Sequence, residues 1–99
     1  MKSFYDKICL DDIKLKHEGK EYPIQLEYYQ TITKDENANT KYGVSIVKTE
    51  FINKNVKVET SKYDNLTDDL VKINEILSTL RDNEVTPVSL EYVIEDMFA

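Results

Sequence analysis

With Cys9 as its only cysteine, the chain cannot close a disulfide within itself, and its scaffold must rest on an apolar core. That usage suits a reducing compartment. His17 is the only histidine, and Gly19 and Gly43 are the only glycines. Four zinc ligands cannot be assembled from one Cys and one His without unusual carboxylates. Phosphate-cradling loops need clustered glycine, which excludes the common nucleotide-binding types. No window comes near the roughly 18 apolar residues that span a bilayer, and Met1 to Lys7 leads into no apolar run of the kind that marks a secretion signal. The expectation is a cytoplasmic protein with no membrane association and no cofactor.

What is present can fill a small core and solvate its exterior: 40% hydrophobic and 32% charged residues over 99 positions. A chain of this size has room for one domain, 1–99. The net charge of −6 argues against direct nucleic-acid binding, where cations must replace the counterions of the phosphates. The charge is also unevenly spread. Met1 to Tyr63 sums to +1 and Asp64 to Ala99 to −7, because only Lys72 and Arg81 offset nine carboxylates in the second segment.

Period-two alternation runs through the first half. Ile13, Leu15 and His17 share one face, Glu18-Gly19-Lys20 supplies a turn, and Tyr22, Ile24, Leu26, Tyr28 and Ile32 continue the pattern. After the polar run Lys34 to Thr40, the residues Tyr42, Val44 and Ile46 resume it. Val47 and Phe51 fall on the other parity, which points to a bulge or twist near Val47. Asn53-Lys54-Asn55 reads as a turn, and Val56, Val58 and Thr60 as the next strand. Residues 1–11, with Phe4, Ile8 and Leu10, read as a short extra strand or an arm. The period then turns helical: Leu70, Ile73, Ile76, Leu77 and Leu80 line one face, with Thr67 as N-cap. Thr86-Pro87 opens a last short helix, whose Leu90, Val93, Ile94 and Met97 or Phe98 face the core. The fold class is therefore α+β, an antiparallel four-stranded meander followed by two helices packed on one face.

Candidate chemistry fails at identifiable positions. Asp35-x-Asn37-x-Asn39 matches the opening of a calcium loop, but Thr40 stands where glycine is needed and Ile46 where the bidentate acid belongs, so it reads as a polar hairpin loop. Cys9 and His17 have no recognisable protease or transferase context. The sequon Asn65-Leu66-Thr67 reads as helix capping. Asp68-Asp69 and Glu95-Asp96 adjoin in sequence and so diverge around a helix, which is poor geometry for acid–base work. Seven tyrosines with no tryptophan leave Tyr29 and Tyr92 projecting outward, where such rings suit protein contacts.

Tyr42-Gly43-Val44 opening a strand, then a helix, then Asn83-Glu84-Val85-Thr86-Pro87-Val88-Ser89-Leu90 leading into Val93-Ile94-Glu95-Asp96, resembles a family of small uncharacterised proteins, a domain of unknown function from clostridia and related Firmicutes. The resemblance covers Glu21 to Phe98. It implies a bacterial cytosolic protein and supplies no activity, ligand or partner. The functional expectation is a non-enzymatic regulatory or adaptor protein that meets a protein with a basic surface through Asp68, Asp69, Glu75, Glu91, Tyr92, Glu95 and Asp96. An acidic nucleic-acid-mimicking inhibitor of a nuclease or defence enzyme and a small-molecule-binding module are the other readings, and oligomeric state stays open.

Overall fold

Alternating apolar residues build a sheet one of whose faces must be covered. In the computed structural model, which describes residues 1–11, 23–52 and 54–99, four antiparallel strands follow one another: β1 (Lys2–Asp11), β2 (Pro23–Lys34), β3 (Thr40–Ile52) and β4 (Asn55–Thr67). Their order in the sheet is β1-β2-β3-β4. Helix α1 (Leu70–Asp82), a 3₁₀ turn (Pro87–Ser89) and helix α2 (Leu90–Met97) complete the chain. This is the α+β meander with two helices on one face that the patterning implies.

Register explains the core. On β2, Ile24, Leu26 and Tyr28 are buried at every second position, and Val44 and Ile46 continue that face on β3. Leu26, Tyr28, Val44 and Ile46 meet Ile73, Ile76, Leu77 and Leu80 of α1, together with Val85, Leu90 and Ile94, in one cluster. The Tyr28 hydroxyl donates to the Val85 carbonyl at 2.9 Å in the interior, tying the segment between the helices to the sheet. Burial, with the nearby Glu84 charge adding to it, pushes the Tyr28 phenol up to about 12.

Two boundaries differ from the expectation. Residues 2–11 form a full edge strand paired with β2 from Lys2↔Thr31 to Asp11↔Pro23. The strand expected at Ile13, Leu15 and His17, with its turn and Tyr22, lies outside the described residues, as does Asn53 of the second turn. β4 runs on to Thr67, which is therefore not the N-cap of α1. That role falls to Asp69, whose carboxylate accepts from the N–H of Val71 and Lys72. Leu70 is 49% exposed, because it opens the helix one turn before the buried stripe begins.

The bulge also lies elsewhere. The β2–β3 ladder passes Val47 without interruption, and Val47 and Phe51 belong to the sheet face opposite the helices. The break is in β3–β4, where Tyr42 pairs with Thr67 and Val44 with Tyr63. There β4 folds over Gly43, with Asn65 in the left-handed region at φ 58°. A Cβ on Gly43 would meet the Tyr63 carbonyl, and would stand 2.6 Å from Thr31 Oγ1 and 2.7 Å from Asp64 Cα. The Thr33 hydroxyl pins the crossing by donating to Asn65 Oδ1. A second irregularity falls between Phe4 and Asp6 on β1.

The strands outrun the helices. A 13-residue strand spans roughly 43 Å and a 13-residue helix about 20 Å, and the molecule measures 55 × 26 × 18 Å. Beyond the helical layer, the helix-side positions of β3 and β4 switch from apolar to charged. Lys48 pairs with Glu50 at 2.8 Å and Lys57 with Glu59 at 3.2 Å. Among the described residues, no helix is long and apolar enough to cross a membrane.

Candidate functional site

The −7 segment maps mainly onto the helical layer, so its geometry decides which carboxylates act together. Helix α1 buries Ile73, Ile76, Leu77 and Leu80 and turns Glu75 outward. Its C-terminus closes by a Schellman motif: Val85 N–H donates to the Leu80 carbonyl and Glu84 N–H to the Arg81 carbonyl, both at 3.0 Å. Glu84 takes the left-handed position of that motif, at φ 52°. The chain then enters the Pro87–Ser89 turn with Thr86 at its N-cap position, although the Thr86 side chain makes no capping hydrogen bond. Proline is suited to this place because its missing N–H would have no partner there.

Helix α2 buries Leu90 and Ile94 on the sheet side. Glu91 and Glu95 are four residues apart, as are Tyr92 and Asp96, so these four make one outward face. All four are exposed, Tyr92 at 76%. Glu91 faces the edge of β4, lining a shallow open hollow with Ser61, Lys62, Tyr63 and Asp64. Among the described residues, none of Glu91, Glu95 and Asp96 takes part in an ion pair. Acids in the last turn oppose the helix dipole, and α2 has no basic residue there to offset Glu95 and Asp96.

The two cations of the helical segment are directed elsewhere. Arg81 reaches Asp6 on β1 at 3.1 Å and Asp82 at 3.0 Å, and stacks against the Tyr5 ring at 5.6 Å. Lys72 stands over the Phe98 ring at 5.7 Å.

The structure thus brings together Glu91, Tyr92, Glu95 and Asp96 and leaves the other three expected residues apart. Asp68 is exposed in the turn after β4, Asp69 is occupied in capping α1, and Glu75 sits at a seam between α1 and the end of α2. That seam is a shallow hollow of about 270 Å³ lined by Lys72, Glu75, Ile76, Thr79, Met97 and Phe98. The patterning puts Met97 or Phe98 on the core face, but the two are 37% and 47% exposed, since the helix ends at Met97 and the ring of Phe98 leaves the buried stripe. Val88, 79% exposed within the 3₁₀ turn, has no periodic signal that could have marked it. These apolar side chains border the acidic face.

Elsewhere, Asp35 is consumed by its own hairpin. It accepts from the N–H of Asn37 and Asn39 and from the Asn39 amide, and the Asn39 backbone bond chiefly holds its carboxyl below the ordinary value. Cys9 is exposed, and His17 lies outside the described residues. Among the described residues, no group of three or more His, Cys, Asp and Glu is gathered around a common point.

Tyr29, on the sheet face away from the helices, is half-buried. Lys2 covers its ring at 4.3 Å, Phe4 meets it edge-on, and its hydroxyl donates to Glu27.

No curated protein and no solved structure matches the chain. A family model does, over residues 8–99, a span that takes in Tyr42-Gly43-Val44 and the whole helical segment. The chain belongs to the Family of unknown function (DUF6514).

Proposed function

We propose that this protein is a non-enzymatic regulatory or adaptor protein that binds a basic protein surface through the outward face of α2, made by Glu91, Tyr92, Glu95 and Asp96. One observation carries the reading. A largely exposed tyrosine stands among three carboxylates that have no ion-pair partner among the described residues, at a helix end where two of them oppose the dipole. An arrangement that costs local stability without a compensating contact in the fold is expected at a site selected for something else. An amphipathic ring within a charged rim is the composition of a binding anchor.

The nucleic-acid-mimic reading is weaker on size. An eight-residue helix extends about 12 Å, along which duplex DNA would place roughly seven charges, against three on this face. The test is capture of partners from a lysate of the native host with wild type and with a triple variant, E91Q/E95Q/D96N. The triple variant should melt at a higher temperature than wild type and lose the partner. Equal capture by both proteins would refute the reading.

A further inference from the structure

The two edges of the sheet are unequal. β1 is blunted by its irregularity at Tyr5 and by Arg81 of α1 reaching over to Asp6. β4 is covered by the helices only past Ser61. From Asn55 to Thr60 it is exposed at every position but Glu59, with Val56 at 60% and Val58 at 58%. A long, regular, partly apolar edge of this kind is a template for another strand.

We propose that the occupant is a second copy of the same chain, paired antiparallel through β4 about a two-fold axis at Val58. The charge pattern selects both the partner and the register. In an antiparallel pair centred on Val58, Lys57 of one copy stands opposite Glu59 of the other, twice by symmetry, and Val56 stands opposite Thr60. Centring on Lys57 or Glu59 would instead oppose like charges. Within one chain, Lys48 already faces Glu59 and Glu50 faces Lys57. Pairing about Val58 therefore extends each row into an unbroken alternation over four strands: Lys48, Glu59, then Lys57 and Glu50 of the second copy. On the opposite face Val58 meets its own symmetry mate, and Val56 gains a Thr60 neighbour. The contact is isologous and closes on itself, giving one eight-stranded sheet with all helices on the same side.

The test is the oligomeric state in solution over a wide concentration range, by sedimentation, with circular dichroism confirming the fold of each variant. Wild type should form a dimer. K57E and E59K should each be monomeric, since each opposes like charges across the axis. An equimolar mixture of the two should dimerise, because each cross-axis pair then joins a carboxylate of the K57E chain to an ammonium of the E59K chain. V58K, which leaves both ion-pairing residues in place, should be monomeric, and it carries the test should either charge variant fail to fold. A wild type that stays monomeric throughout overturns the proposal, as does a folded mixture that does not associate or a V58K protein that remains dimeric.

Discussion

Glu84 occupies a backbone position that a side chain makes costly. Its φ of 52° is the left-handed C′ position of the Schellman motif closing α1, where glycine is the ordinary residue. Glu84→Gly is expected to stabilise the protein by about 0.5–1 kcal/mol, raising its melting temperature by several degrees; calorimetry checks this. Asp6 gives a prediction of opposite character. The Lys7 backbone N–H and then the Arg81 guanidinium hold its carboxyl below the ordinary 3.8. A folded-state value below the unfolded one means the contribution is present above 3.8 and lost as pH falls through the folded value. The stability gap between wild type and Asp6→Asn in urea should therefore close as the pH drops below 3.8. The sequence pattern names Thr67 as the cap of α1, and the capping role of Asp69 is not legible in it. Capping depends on where β4 ends, and the run Asp64 to Asp69 does not announce that its first four residues are still strand.

Elements with strict period are legible in the sequence. Leu26, Tyr28, Val44 and Ile46, and then Ile73, Ile76, Leu77 and Leu80, all lie in the core where the alternation and the helical stripe place them. The pattern is ambiguous where an apolar residue has two possible causes. Val47 and Phe51 broke parity because the second sheet face also carries apolar side chains, not because the backbone kinks there. The real kink is marked by Gly43, which the pattern alone could not separate from a strand glycine of no consequence. Since a Cβ there would strike the β4 backbone, Gly43→Ala should force the crossing apart and destabilise the fold by about 1–3 kcal/mol or more. An equilibrium denaturation series measures it, and the amide resonances of Tyr63 to Leu66 should shift most.

At the scale of the whole molecule, the charge division of the sequence becomes a division of surfaces. The strands balance their charges in pairs such as Lys48–Glu50, Lys57–Glu59 and Lys62–Asp64. On α2, by contrast, Glu91, Glu95 and Asp96 have no ion-pair partner among the described residues, and the exposed Tyr92 stands among them. The acidity of this half was plain from composition. Which acids share a face was legible only in part, since Glu91, Tyr92, Glu95 and Asp96 follow helical spacing whereas Asp69 and Glu75 depend on how α1 is capped and seated. Whether the outward face of α2 binds a basic protein is decided by photocrosslinking in the native host, with a benzophenone amino acid at position 92 on α2 or at position 49 on the opposite face of the sheet. Position 92 should give a discrete crosslinked product that contains a basic protein, and position 49 none of that protein. The same product from position 49, or no product from position 92, would contradict such binding.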